Sequence, residues 1–161
     1  RDYLEIVERL REVVEGVGLS TDLIVGFPGE TDKDFEATLE FVNEVGYDSS
    51  YSFEYSPRPD TAALAYMNAL PAKTKRQRLV ELQELQRRIQ TRKNRAWEGR
   101  TVEVLVDGFS RKTEDDVSGR TSSNQIVNFR GNRELIGTLV DVEIIRSGAH
   151  SLYGEVRSDS R

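Results

Sequence analysis

The 161-residue chain has no cysteine, one methionine, one tryptophan, one histidine and four prolines. Without cysteine it can form no disulfide and can supply no thiolate to zinc or to an iron–sulfur cluster. His150 alone cannot build a metal site. No apolar run approaches the roughly 18 residues that a membrane-spanning helix needs. There is no initiator methionine and no signal peptide. The first helix begins at once, as expected for a piece of a longer chain with a cytoplasmic location.

Charge is unevenly distributed. The net charge is −5, with −10 in residues 1–70, +7 in 71–100 and −2 in 101–161. A basic middle segment in an acidic chain is a candidate contact for a polyanion. Hydrophobic content is 37% and charged content 32%, which fits a globular chain with a lean core, in one medium or two small domains.

Residues 20–31 organise the first half. Leu23, Ile24 and Val25 predict a short strand covered on both faces. Gly26, Pro28 and Gly29 then turn the chain, and Thr31 or Asp32 caps a helix with acids in its first turn. Ligands of α/β sheets bind just past such strand ends. Before this strand, Leu4, Val7, Leu10, Val13 or Val14 and Val17 recur at helical spacing over 2–16. After it, Phe35, Leu39 and Val42, widened by Phe41 and Val45, predict a helix from 32 to 44 that Gly46 ends. Tyr51, Phe53 and Tyr55 alternate with Ser52, Glu54 and Ser56 in a second strand. The polar set fits either a barrel interior near a site or the wet face of an edge strand. Helix, strand, helix, strand in under 60 residues predicts βα units with a parallel sheet. Residues 57–70 are either a lid over the strand ends or an ordinary connection.

Pro71 opens a long helix to about residue 98. Leu79, Leu82, Leu85 and Ile89 form its apolar stripe, Val80 broadens it and Trp97 anchors its far end. Arg88, Arg92 and Arg95 share another face, and Lys73, Lys75, Arg76 and Arg78 cluster at its start. These cations fit either RNA phosphate contact or a solvated face. From Gly99 the pattern is all β. Strands are expected at 101–106, 117–121, 125–129 and 150–156. Residues 135–145 form a strand pair or one strand bent at Gly137, and 110–114 a charged turn. Five short strands suit a small oligonucleotide-binding type of barrel. Its candidate RNA-facing groups are Arg120, Asn124, Asn128, Phe129 and Arg130. The alternative for Phe129 is a core position. His150 is expected in a surface turn.

Asp22-x-Ile24-x-Gly26-x-Pro28-Gly29-Glu30-Thr31, followed by Tyr51-Ser52-Phe53-x-Tyr55-Ser56-Pro57-Arg58-Pro59, resembles the later part of the radical S-adenosylmethionine barrel of the methylthiotransferases. Gly119-Arg120-Thr121-x-x-Asn124-x-x-Val127-Asn128-Phe129 resembles their carboxyl-terminal TRAM domain. The resemblance covers nearly the whole chain. It implies a partial TIM-like α/β barrel over 1–70, a basic connecting helix over 71–98 and an OB-like all-β TRAM barrel over 99–157. The second string looks most like the branch that adds a methylthio group to carbon 2 of N6-isopentenyladenosine beside the anticodon. The implied cofactors are S-adenosyl-L-methionine and two [4Fe–4S] clusters, whose cysteines would lie upstream of Arg1, so this chain alone is expected to be inactive. The implied partners are the tRNA anticodon stem-loop and an electron donor. Carried over by motif, Ile24, Val25, Gly26, Glu30, Tyr55 and Ser56 would line the S-adenosylmethionine pocket. Arg58 would face tRNA, with Arg88, Arg92, Arg120, Asn124, Phe129 and Arg130 as the other RNA contacts. After Pro59 the family usually reads Gly-Thr-Pro-Ala, where this chain has Asp60-Thr61-Ala62-Ala63. A ribosomal-protein aspartate methylthiotransferase and a stand-alone RNA-binding module are the alternative readings. A barrel lacking its first strands is expected to leave open edges and little stability in the α/β half.

Overall fold

The structure is a computed structural model that describes residues 2–66, 68–110, 113 and 115–157. Arg111, Lys112 and Glu114 of the predicted charged turn lie outside the described residues. The chain divides into two compact units, residues 1–13 with 19–89 and residues 14–18 with 90–161.

The first unit contains α1 (Asp2–Val13), β1 (Ser20–Val25), α2 (Asp32–Val45), β2 (Ser49–Glu54), a 3-10 turn (Ala62–Ala65) and most of α3 (Ala72–Arg95). β1 and β2 pair in parallel, Ser20 opposite Ser49 and Val25 opposite Glu54. The predicted βα order is therefore present. α2 starts at a capping box. The Asp34 amide donates to Thr31 Oγ1 at 3.2 Å, and Asp34 Oδ2 accepts from the Thr31 amide at 2.9 Å and hydroxyl at 2.7 Å. The Thr31 hydroxyl first, and its amide second, hold the Asp34 carboxyl below its ordinary value. Gly46, in the left-handed conformation, ends the helix.

Val7, Val25, Phe35, Val42, Val45, Tyr47, Leu82 and Ile89 form the core of this unit. The α1 stripe is shorter than its spacing suggests. Val7 is buried, but Val13 and Val14 are exposed, because the helix ends at Val13. Val80 is also exposed and does not broaden the α3 stripe.

Two expectations about the strands are corrected. β1 is covered on one face only, since Val25 is buried while Ile24 is 61% exposed. The polar side of β2 does not line a barrel interior. Ser52 and Glu54 stand opposite Leu23 and Val25 on the helix-covered side, where Glu54 pairs with Arg76 of α3 at 3.4 Å. Small serines let the helices approach that side of the sheet. Ile24, Tyr51 and Phe53 form the open side.

Tyr47 carries a testable consequence. Its buried hydroxyl donates to the Tyr3 hydroxyl at 2.9 Å. Burial first, then that hydroxyl, push the phenol up to about 12. An unfolded tyrosine loses its proton near 10. Between those values the folded chain binds more protons than the unfolded one, so stability falls as pH rises from about 10 to about 12. Urea midpoints across that range should decline in the parent and decline less in Tyr47→Phe. Equal slopes would reject the assignment.

The second unit is a closed five-stranded barrel in the order β3-β4-β5-β7-β6. The strands are β3 (Thr101–Phe109), β4 (Asp116–Arg120), β5 (Ile126–Arg130), β6 (Leu139–Ser147) and β7 (Leu152–Val156). Alternation selects the interior, made of Val104, Val106, Val117, Val127, Phe129, Val142, Ile144 and Leu152. Register shifts between Val106 and Gly108 and between Ile144 and Arg146 bend β3 and β6 as closure requires. At Gly119 a Cβ would collide with the Leu105 carbonyl oxygen and Val104 Cγ1, so only glycine fits this crossing. Residues 135–145 are neither a strand pair nor a single bent strand. A 3-10 turn (Arg133–Leu135), capped by the Asn132 side chain, precedes β6. α3 ends at Arg95 rather than near residue 98, so Trp97 does not extend the helix stripe but packs on the barrel core, and buried Asn94 donates to the Gly148 carbonyl at 2.7 Å. His150 lies in an exposed bend.

Candidate functional site

The first locus is the turn after β1. Gly26 has φ 73, a left-handed conformation that suits glycine, and a Cβ there would strike the Lys75 side chain of α3. Glu30 folds back over this turn. One of its carboxylate oxygens accepts the Gly26 and Phe27 amides, the latter at 3.1 Å. The other pairs with Arg78 Nη1 at 3.1 Å. Arg78 is only 5% exposed. It also donates to the Glu30 carbonyl at 3.2 Å and to Asp32 Oδ1 at 2.6 Å, and lies 5.3 Å from the centre of the Phe35 ring. Lys75 Nζ donates to the Tyr55 carbonyl at 3.0 Å. Two cations of α3 therefore fix both strand ends.

These contacts revise the predicted cofactor set. The Val25 side chain is 1% exposed and points into the core beneath the helices, so it presents only backbone to a ligand. The Glu30 carboxylate is committed to the turn and to Arg78. Ile24 stands on the open side, Tyr55 is half-buried, and Ser56 and Arg58 are exposed beyond β2. Phe27, which residue type and spacing did not single out, packs edge-on against Tyr55 at 5.0 Å and Tyr66 at 5.8 Å. The Gly29 amide donates to the Asn68 carbonyl at 2.9 Å, so part of the 57–70 connection lies against this turn. Asp60 has φ 63. It takes the left-handed conformation that glycine adopts at no steric cost, so the departure after Pro59 still accommodates a glycine-type turn. Ile24 and Phe27 leave apolar surface exposed at this locus. Among the described residues no group of three or more acidic, histidine or cysteine side chains could hold a metal ion.

The second locus is the outer face of the barrel. Arg120, at the end of β4, donates to Asn124 Oδ1 at 2.8 Å and lies 3.4 Å from Asp107 Oδ2. Both ends of that ion pair are about half-exposed, so it contributes little stability and leaves the guanidinium accessible. Asn124 occupies the β4–β5 turn with φ 64. Arg130 is exposed and lines an open depression of about 580 Å³ with Asp115, Gly131, Asn132, Glu134 and Leu135. Arg88 and Arg92 are exposed on α3. Phe129 is corrected. It has no exposed surface and is a core residue, so it cannot stack on a base. Alternation carries this result, since Val127 and Phe129 share the inward side of β5. Phe109 at the end of β3 is 51% exposed, and half-buried Tyr153 faces outward between inward Leu152 and Gly154 on β7, with the Arg146 guanidinium 4.3 Å from its ring centre.

The TRAM domain family matches residues 95–156, the segment that contains this barrel. A tRNA-2-methylthio-N(6)-dimethylallyladenosine synthase of Clostridium botulinum is 46% identical over 153 residues, which are 95% of this chain and 34% of that protein. Proteins of the same name from Alkalilimnicola ehrlichii and Syntrophus aciditrophicus are 44% and 46% identical over 155 residues, 96% of this chain and 35% and 34% of theirs. The chain thus spans about a third of the length of the curated relatives it matches. The two groups that the resemblance implies fit this chain differently. The positions carried over for S-adenosylmethionine, Ile24, Gly26, Tyr55 and Ser56, lie together at the ends of paired β1 and β2. Thiolate-held clusters find no ligand in this sequence, which has no cysteine.

Proposed function

We propose that this chain is part of a tRNA methylthiotransferase that adds a methylthio group to carbon 2 of N6-isopentenyladenosine beside the anticodon. In this reading the first unit contributes two strands of a TIM-like radical S-adenosylmethionine barrel, and the TRAM barrel holds tRNA. Identity of 46% along 95% of the chain to a protein named for that product carries the reading. Two features support it. Ile24, Tyr51 and Phe53 leave one side of a parallel two-stranded sheet apolar and uncovered, as suits strands whose neighbours complete a barrel. The turn after β1, just past a strand end of the kind where α/β ligands bind, is held in place by Lys75 and Arg78 of α3.

S-adenosylmethionine, when bound, supplies the transferred methyl group. Ile24 and Tyr55 would take its adenine end. Glu30, Lys75 and Arg78 orient the backbone that carries those groups and touch no reacting atom. Arg120, Asn124 and Arg130 would bind the RNA backbone, aided by Arg58, Arg88 and Arg92. The cluster chemistry lies outside what these residues can provide.

The test is binding of anticodon stem-loops, with and without the isopentenyl group, across a salt series. Binding should weaken steeply with salt, because each neutralised phosphate adds about 0.7–0.9 to the logarithmic slope. Arg120→Ala should lower that slope by about one. Absence of binding at low salt, or binding indifferent to salt, would overturn the tRNA reading and favour a protein substrate.

A further inference from the structure

Arg146, Tyr153, Asn128, Ser118 and Gly108 form one continuous outward row across β6, β7, β5, β4 and β3. Tyr153 and Arg146 stand out in that row. The Tyr153 hydroxyl donates to Asp116 Oδ1 at 3.4 Å. Asp116 belongs to β4 and Tyr153 to β7, and β5 runs between them. The phenol side chain therefore reaches across the outer face of β5. Arg146 is exposed, and its guanidinium lies 4.3 Å from the ring centre. Asn128 and Ser118, beside the ring, are small and polar. Two flat groups are thus held together on a surface with hydrogen-bonding neighbours.

The rest of the barrel surface points a polyanion to this place. On β3, β6 and β7 the outward residues include Glu103 opposite Asp141 and Glu143 opposite Glu155, all exposed. Like charges set directly across a ladder weaken it and repel phosphate. Arg120 and Arg130 lie at opposite ends of the β4–β5 hairpin, on either side of Asn128, Arg120 beside Asp107 and Arg130 across the ladder from Asp116. Phosphates have cations there, and a base has a stacking surface.

We propose that the Tyr153–Arg146 pair is the stacking platform on which the TRAM barrel receives an unpaired nucleobase of single-stranded RNA, with Arg120 and Arg130 holding the flanking phosphates. This rests on the tRNA reading above and adds the residues and the strand state that the barrel recognises. A duplex keeps its bases stacked inside, whereas loops can splay them onto aromatic and guanidinium planes.

The experiment is fluorescence anisotropy with the 161-residue chain, an anticodon stem-loop and a blunt duplex of equal length. Tyr153→Ala and Arg146→Ala should each raise the stem-loop Kd about tenfold, the scale of one lost base–aromatic stack. Tyr153→Phe, which keeps the ring and loses the Asp116 contact, should bind like the parent. Glu143→Gln, on the acidic strip, should not weaken binding. Duplex affinity should change little in any variant. If the parent binds the stem-loop and Arg146→Ala and Tyr153→Ala bind equally well, the platform is overturned while the tRNA reading stands. If Tyr153→Phe loses as much as Tyr153→Ala, the ring is not what binds and the platform is likewise overturned. If the parent does not bind the stem-loop at low salt, both fall. Arg146 is exposed, so its variant keeps the test decisive should Tyr153→Ala fail to fold.

Discussion

Arg78→Ala is expected to destabilise the first unit by about 3–5 kcal/mol, the usual cost of removing one partner of a buried ion pair. The residue is buried, and its loss leaves the Glu30 carboxylate, 13% exposed, without its cation. The damage should reach the turn after β1, because the same carboxylate holds the Gly26 and Phe27 amides. Asp32, the other ion partner, is 94% exposed, so Asp32→Asn should cost well under about 1 kcal/mol. Glu30→Gln should lie between, since an amide oxygen still accepts one amide but no longer attracts the guanidinium. Urea midpoints by far-UV circular dichroism rank the three. Amide exchange at Gly26 and Phe27 localises the effect, with faster exchange expected in Arg78→Ala and Glu30→Gln. In a double-mutant cycle the Glu30 and Arg78 losses should fall short of adding, as for residues of one network. A loss below about 1 kcal/mol for Arg78→Ala would mean that the pair behaves like a surface salt bridge.

That cluster also shows where sequence reasoning stops. α2 was legible because its signals are local: Thr31 and Asp34 three residues apart, Phe35, Leu39 and Val42 at helical spacing, and Gly46 at the end. The barrel was legible for a similar reason, since short alternating runs separated by turns set both strand and inward side. The role of Glu30 was not, because its partner is 48 residues away on α3. Nothing nearby in the chain distinguishes a carboxylate that binds a ligand from one that closes a turn. The sides of β2 were legible as two sets, aromatic and serine-rich. Which set the helices cover depends on how closely they approach, and Ser52 is small enough to sit beneath them. The 135–145 segment failed because its apolar residues hide a left-handed Gly137, with φ 85, that separates a 3-10 turn from β6. Tyr153 was within reach. The alternation of Leu152, Tyr153 and Gly154 marks it as an outward aromatic by the same period that marks Phe129 as inward.

Phe129 is the sharpest case, and its substitution separates the two roles an aromatic can have on such a barrel. Phe129→Ala is expected to cost about 3–5 kcal/mol, the range for emptying a fully buried aromatic site. The ring sits on β5 among the inward residues of a small closed barrel, opposite Val117 and Gly154. Gly154 has no side chain to collapse into the vacated space, and a closed barrel cannot shift one strand without straining the others. A domain of this size has only about 5–15 kcal/mol of stability in total, so the Ala variant should leave the barrel largely unfolded or close to it at physiological temperature. Phe129→Leu fills most of the volume and should cost less. Trp97, the sole tryptophan, packs on the barrel core, so its fluorescence reports barrel unfolding in urea. If Phe129 is core, Phe129→Leu lowers the Trp97 midpoint and leaves RNA affinity unchanged while the barrel is folded. If it stacks on a base, the order is reversed, with affinity falling about tenfold at an unchanged midpoint. Tyr153→Ala should show that second pattern, so the two variants measured side by side assign one aromatic to the interior and the other to the RNA face.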